Sequence, residues 1–339
     1  MSIASVASAA EAIDFEASTL VEIPTHTFVI ASEAGEGNQA LTSERIQYNP
    51  VVAPNVGVGV KFGSLSLEGR RKMNEANQGD RDTYGTTTYT DVSAEWRVRY
   101  LRVAGFRQIY QGFYTDLTGQ SGVSSSFETS DSEDTPDSSD ATRQSADAIR
   151  DEPGIQKRPD LAVTYEGASL TGAIPFLDLM GPSTDGKGFP PGSIFEFVIQ
   201  ATYSRLEVGD DDPLIPHSRS DTMASAADIT KLTADGVGYG GGLDLDIPVT
   251  PGFRFLMRGV AGGGTQRQRL TESGTIGEPR NAPFKYLSGN IGGDWHGERH
   301  SVVANFYVDT MSSDLRDFKL TSNRLGMLAR YVYAFKDAK

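Results

Sequence analysis

Residues 237–247 read Val-Gly-Tyr-Gly-Gly-Gly-Leu-Asp-Leu-Asp-Ile, and their alternation decides the fold. Successive side chains of a strand point to opposite faces, so Val237, Tyr239, Gly241, Leu243, Leu245 and Ile247 share one face. Gly238, Gly240, Gly242, Asp244 and Asp246 share the other. A Thr250-Pro251-Gly252 turn follows, after which Phe253, Phe255 and Met257 oppose Arg254 and Arg258. One face of this hairpin is apolar along its length, and the other carries charge deep inside both strands. A soluble sandwich would bury its apolar face and wet the other. A closed barrel in lipid does the reverse, with the apolar face turned to hydrocarbon and the charged face to the lumen.

The same pattern runs outward from this hairpin. Val56, Val58, Val60 and Phe62 oppose Gly57, Gly59 and Lys61, and Trp96, Val98 and Tyr100 oppose Glu95, Arg97 and Arg99. Phe195, Phe197, Ile199 and Tyr203 share a face, as do Val302, Ala304, Phe306 and Val308. Leu325, Met327, Tyr331, Tyr333 and Phe335 oppose Arg324, Gly326 and Arg330. These segments predict an all-β fold, a closed antiparallel transmembrane barrel of about twelve strands. The strands are expected near 39–48, 54–62, 64–72, 86–99, 101–115, 160–173, 192–207, 230–248, 252–269, 284–295, 300–311 and 320–335. Short turns near Gly63, Tyr100, Thr250 and His296 alternate with long connections at 73–85, 116–159, 208–229 and 270–283, as expected of tight periplasmic turns and extended outer loops. Residues 174–191 break the rule, being long where a short turn belongs. Residues 1–37 are expected to form an N-terminal extension (an arm, a plug or a disordered tail), 38–335 the barrel with an acidic loop at 117–157, and 336–339 a C-terminal tail.

Composition bounds the alternatives. No run approaches the ~20 apolar residues of a membrane-spanning helix, and mean hydropathy is −0.35. The absence of cysteine removes disulfides and thiolate metal sites. The N-terminal MSIASVASAAEAIDF lacks a basic region followed by an apolar core, and reads as a mature chain with its export signal removed. The formal charge of −14 disfavours nucleic acid, which demands clustered Lys and Arg. Residues 117–152 hold nine acids against two bases, Arg143 and Arg150, so this acidic excess is local and reads as a solvated loop.

Several segments carry a resemblance. Tyr48-Asn49-Pro50 leading into Pro54-Asn55-Val56, then Arg107-Gln108-Ile109-Tyr110-Gln111-Gly112-Phe113-Tyr114, and Arg158-Pro159-Asp160-Leu161 resemble an uncharacterised (domain-of-unknown-function) family of Gram-negative outer-membrane β-barrels, porin-like in type. The closing Tyr331-Val332-Tyr333-Ala334-Phe335 looks like an aromatic terminal strand read by the barrel-assembly machinery, although Lys336 to Lys339 follow it. The resemblance implies a fold and an outer-membrane location and brings no chemistry.

Candidate chemistry is sparse. Four histidines exist, His26, His217, His296 and His300, and none is expected beside a serine at matching depth, so no enzyme is predicted. His296 and His300 flank a turn, where their spacing is incidental to metal binding. Asp210, Asp211 and Asp212, with Asp221 and Asp228, read first as a solvated loop and second as a weak calcium site. The glycine clusters lack a phosphate-loop ending, and their smoothness suggests packing between barrels and hence a homo-oligomer. No cofactor or metal is expected. The expected partners are outer-membrane lipids, both lipopolysaccharide and phospholipid, with the assembly machinery.

The remaining constellation is the lumen. Lys61, Arg70, Glu95, Arg97, Arg99, Asp244, Asp246, Arg254, Arg258 and Arg330 are the pore-lining candidates, with Arg107, Glu68, Glu166, Glu196 and Asp309 also assigned inward. Phe62, Trp96, Tyr100, Phe195, Phe197, Tyr239, Phe253, Phe255, Phe306, Tyr331, Tyr333 and Phe335 are assigned to the lipid face or its girdles. Opposed charges can filter solutes in an open pore or fill a narrow lumen with salt bridges. Two functions follow: passive diffusion of small polar solutes with weak ion selectivity, or a structural oligomeric barrel that organises or encloses lipid.

Overall fold

The computed structural model describes residues 15–32, 45–73, 78–116, 154–177, 190–214, 229–315 and 318–335. Twelve long strands form one closed antiparallel ring. They are β1 (Phe15–Ser32), β3 (Asn55–Phe62), β4 (Leu65–Lys72), β5 (Thr88–Val98), β6 (Leu101–Asp116), β7 (Ile155–Pro175), β8 (Ile194–Gly209), β9 (Ile229–Thr250), β10 (Phe253–Glu272), β12 (Arg280–His296), β13 (His300–Leu315) and β14 (Phe318–Phe335). Two short strands, β2 (Arg45–Asn49) and β11 (Thr275–Ile276), pair at its loop end, and a helix, α1 (Gln78–Tyr84), follows β4. Closure leaves the ring without an edge, the condition under which a sheet can sit in hydrocarbon.

The strand number matches the expectation, but one member does not. Residues 15–32, assigned to an N-terminal extension, are the strand that closes the barrel, pairing with β14 from Phe15↔Phe335 to Ser32↔Phe318 and with β3 from Phe15↔Phe62 to Glu22↔Asn55. The strand expected at 39–48 is only β2. Pro24 disguised β1, since a proline inside a run argues against a central strand. The ladder partners explain its tolerance: β3 ends at Glu22 and β2 begins at Phe28, so at Pro24 one edge of β1 has no ladder partner among the described residues. Residues 1–14, 33–44, 336–339 and most of the acidic loop (117–153) lie outside the described residues; 155–157 belong to β7.

β2 also changes the shape of the ring. β3, β4 and β5 are short, and above them β2 pairs directly with β1 (Phe28↔Tyr48) and with β6 (Tyr48↔Thr115). A bulge in β6 between Gln111 and Phe113 makes this possible. Gly112 sits there at φ 85°, where a side chain would collide with the Thr86 carbonyl, and the extra residue turns Phe113 into the interior. Thr87 fastens the corner by accepting from the Val51 amide at 2.8 Å and donating to the Gly112 carbonyl at 2.7 Å.

The connections at 63–64, 99–100, 251–252 and 297–299 lie at the same end as Phe15 and Phe335. The connection from Pro175 to Ile194 also lies at this end, so it is a long connection among short ones, with 178–189 outside the described residues. Phe176, at its start, packs its ring 5.2 Å from Phe195 and 5.3 Å from Phe197.

Along the strands the inside-outside relation reverses. In the turn-end part of β9, Val237 and Tyr239 face outward and exposed, while Asp244 and Asp246 face the lumen. Nearer the loops, Leu232 and Ala234 point inward and are buried, and Lys231, Thr233 and Asp235 point out. The reversal is marked by a row of outward charges in direct register: Arg107↔Glu166↔Arg205↔Asp235↔Arg267. Arg107 and Glu166 are thus outside the barrel, 3.7 Å apart, and not in the lumen. They were assigned inward on the premise that strand charges always face water inside, which fails beyond the bilayer. On β10 the apolar outward stretch runs from Phe253 to Gly263, and eleven residues at the usual strand rise and tilt span roughly 25 Å of membrane. Above the row the barrel is a water-exposed cylinder with an apolar core.

Depth should therefore govern the cost of outward charges. Ile291→Arg, in the band, is expected to destabilise the barrel by about 2–4 kcal/mol and Thr321→Arg, above it, by about 0–1, measured by reversible unfolding from phospholipid vesicles; equal costs would refute the boundary.

Candidate functional site: the closed lumen

The interior is built in three tiers. At the loop end, Phe28 and Ile30 (β1), Ile46 and Tyr48 (β2), Phe113 (β6), Leu161 and Val163 (β7), Leu206 and Val208 (β8), Ile229 and Leu232 (β9) and Leu320 (β14) form a single buried apolar cluster. It lies across the inside of the ring. Tyr48 donates its hydroxyl to the Leu214 carbonyl, and Arg158 pairs with Asp210 at 2.7 Å while donating to the carbonyls of Asp212 (3.1 Å) and Pro213 (2.9 Å). Asp210 is therefore buried with an arginine, not solvated or free for calcium; burial pushes its carboxyl above the usual range, and Arg158 opposes that shift. Asp221 and Asp228 lie outside the described residues.

Beneath the cluster sits a buried charge network centred on Glu22, whose side chain is 0% exposed. Its Oε1 accepts from Arg324 of β14 at 2.6 Å, Arg70 of β4 at 3.0 Å and the Tyr307 hydroxyl of β13 at 2.5 Å, and its Oε2 from Asn55 of β3 at 3.2 Å. Arg70 also pairs with Glu68, which pairs with Arg330. Asp91 lies 3.6 Å from Arg70 and 3.8 Å from Arg324 and accepts from the Tyr89 hydroxyl at 2.9 Å. Charges out of water persist when each is both paired and hydrogen-bonded, and this network satisfies that for Glu22. Of its members, Arg70, Glu68 and Arg330 were assigned inward from the sequence. Glu22 was missed with its strand.

Below and beside the network lies a cavity of about 330 Å3, lined among others by His26, Arg102, Phe106, Gln108, Tyr165, Arg258, Tyr286 and Arg324. On its β9–β10 side the wall is glycine. A Cβ on Gly238 or Gly264 would lie 2.8 or 2.9 Å from the Phe284 ring, and one on Gly262 would lie 2.6 Å from Tyr286. Gly238, Gly262 and Gly264 thus seat two aromatic rings inside the lumen.

The other assigned residues occupy the turn-end tier. Asp246 pairs with Arg254 at 2.6 Å, Glu95 with Arg102, Arg97 with Glu196 at 3.9 Å and Lys61 with Glu16 at 3.0 Å. Asp244 and Arg258 are register partners but form no ion pair. Arg99 is not on a strand: it and Tyr100 form the β5–β6 turn, with Arg99 at φ 45° and its guanidinium 4.7 Å over the Tyr100 ring. Of the aromatic residues, Phe62, Trp96, Phe197, Tyr239, Phe306, Tyr331 and Phe335 face outward and exposed, while Phe195, Phe253, Phe255 and Tyr333 are half-buried. Phe15 and Trp295, not singled out from the sequence, join them at the turn end, stacked 5.2 Å from Phe335 and 4.8 Å from Phe253.

One expectation about histidine fails. His26 Nε2 lies 2.7 Å from Ser322 Oγ on the neighbouring strand, so a serine does stand at matching depth. The pair lacks the rest of a nucleophilic relay: His26 Nδ1 has no hydrogen-bond partner among the described residues, and its register partner is Arg324, not a carboxylate. His296 and His300 flank the β12–β13 turn, and His300 bonds Tyr331 at 2.5 Å.

A closed ring of twelve strands, apolar toward the bilayer, aromatic at the turn end and charged within, defines an outer-membrane β-barrel. Its fold is similar to solved barrels, though remotely. The outer membrane protease OmpT from Escherichia coli aligns with 96% of this chain and 98% of its own at 6% identity and a TM-score of 0.40. An outer membrane channel from Pseudomonas putida F1 aligns over 94% and 95% at 11% identity and 0.31, and the Ralstonia pickettii toluene transporter TbuX over 94% and 90% at 9% and 0.30. Similarity at this level says nothing about what this chain binds or does. No protein-family model matches the chain, and no curated protein matches it.

Removing the central acid tests the network. Glu22→Gln keeps the shape but leaves Arg70 and Arg324 short of a buried counter-charge, for an expected loss of about 3 kcal/mol. The temperature at which the barrel loses its heat-modifiable gel mobility should fall accordingly, and an unchanged transition would show that Glu22 is not the keystone.

Proposed function

We propose that this protein is a closed outer-membrane barrel that holds small molecules in an internal chamber, rather than an open porin for polar solutes. The observation that carries this reading is the apolar cluster at the loop end. Phe28, Ile46, Tyr48, Phe113, Leu161 and Val208 are each at most 2% exposed, and among the described residues they occupy the place where a diffusion pore would be wet. The lumenal charges, paired within the wall, fill the lumen more than they line a passage. Among the described residues His26 has no carboxylate beside it, so the His26–Ser322 pair is not set up as an activated nucleophile.

The structural reading, an oligomer that organises or encloses lipid, shares the closed lumen. Its support is the exposed apolar outer face, which suits phospholipid, and the basic members of the outward row, Arg107, Arg205 and Arg267, which suit lipopolysaccharide phosphates. The closing Tyr331–Phe335 segment remains the feature that suits the assembly machinery.

Planar-bilayer recording separates closed from open. Wild-type protein, inserted and heat-modifiable, should show no steady conductance. Ile46→Ser with Tyr48→Ala, which hollows the cluster, should produce openings. A steady conductance from the wild type would restore the porin reading.

A further inference from the structure

Among the described residues the lumenal arginines have carboxylate partners, with one exception. Arg70, Arg97, Arg102, Arg254, Arg324 and Arg330 each have a carboxylate within 4.0 Å. Arg258 has no ion-pair or side-chain hydrogen-bond partner among the described residues, although it is half-buried and Asp244 stands opposite it in register. It lines the 330 Å3 cavity and the 20 Å3 void beneath it toward the turn end, and also borders the groove outside among Ile291, Phe306 and Leu325. A guanidinium in a partly desolvated wall is a ready bidentate partner for a carboxylate.

The rest of the chamber specifies the body of such a ligand. The Phe106 and Tyr165 rings pack at a tilt with centroids 4.9 Å apart, and Val260 and Met311 add apolar surface. The acids that line it, Asp91 and Asp309, lie 3.8 and 3.6 Å from Arg324 and are already engaged. Tyr286 adds its ring, with its hydroxyl turned against the wall at Gly240 and Gly262. Among the described residues a polyanion would meet a single cation without a carboxylate partner, and a cation would meet none of the chamber's acids unpaired. We infer that the chamber is a binding site for a small organic monoanion, an aromatic or short aliphatic carboxylate, with its acid on Arg258 and its apolar body against the Phe106–Tyr165 wall. The volume is near the lower end of small-molecule sites, which limits the ligand to about the size of a substituted benzoate.

This inference rests on the closed lumen, and its test is independent of conductance. Fluorine NMR of para-fluorobenzoate titrated with the folded, heat-modifiable barrel should show saturable binding. The uncharged para-fluorobenzyl alcohol should not saturate. Arg258→Gln should weaken the acid at least tenfold, Arg258→Lys should recover part of that loss by keeping the charge, and Arg107→Gln on the outer wall should change nothing. Absence of saturable binding to the wild type, equal binding of acid and alcohol, or undiminished binding by folded Arg258→Gln would each overturn the proposal. If Arg258→Gln fails to fold, the acid-against-alcohol comparison on the wild type and the Arg258→Lys titration decide it. A porin-like wild-type conductance would instead sink the closed-lumen reading while leaving the titration interpretable.

Discussion

Glu22 is the constraint on which the rest of the barrel depends. A ring of strands is stable in lipid only if it closes, and the closing strand here is β1, whose ladder with β3 stops at Glu22. From that point to Phe28 β1 is held by β14 on one side alone among the described residues. Glu22 compensates through side chains, drawing Asn55, Arg70, Tyr307 and Arg324 from four other strands onto one carboxylate. The interior charge is therefore an extension of the hydrogen-bond ladder, not a lining added to a finished wall. It fixes how far across the lumen the strands can sit, and so how much space is left for anything else.

The second constraint is length. A strand needs only about ten residues to cross a bilayer, yet β9 has 22 and β10 has 20. The excess must stand in water, where the same alternation has to serve the opposite purpose, with apolar side chains turned inward. The charged row from Arg107 to Arg267 is the line at which one requirement gives way to the other. Above it the barrel obeys the rules of a soluble β-domain, and a soluble domain of that width is stable only if its centre is packed. Closure of the lumen at the loop end thus follows from strand length.

How much of this was legible in the sequence can be read from particular residues. The hairpin from Val237 to Arg258 stated the fold, the faces and the turn correctly, because inside a bilayer period-two alternation reports directly which side is apolar. The ring number came out right through two offsetting errors, β1 lost to its Pro24 and the 39–48 segment promoted in its place. Arg107 and Glu166 were placed on the wrong side because alternation fixes two faces but does not say which is inside, and the rule that names the inside changes at the membrane boundary. Glu22, Asp91 and His26 left no local signal at all. Their partners include residues of strands far away in the chain, such as Arg324 and Tyr307 for Glu22, and a buried acid reads like any solvated one until its partners are known. Asp244 and Arg258 stand opposite each other in register, but side chains this long choose among several partners. Arg254 found Asp246, and Arg258 was left over.

That leftover cation matters because of what surrounds it. In an open porin an unpaired arginine would be one of many solvated charges, screened by water and ions on all sides. Here the apolar cluster shuts one end of the lumen and paired charges fill its middle, so Arg258 faces a small chamber with few polar partners to offer. A guanidinium in such a place is costly to leave alone and inexpensive to satisfy with an acid brought from outside. Had the wall been built only to fill space, a partner within reach, such as Asp244 opposite, would have closed the gap. The geometry instead leaves a charge and an aromatic wall around the same volume, and those two are the complement of a molecule rather than of another strand.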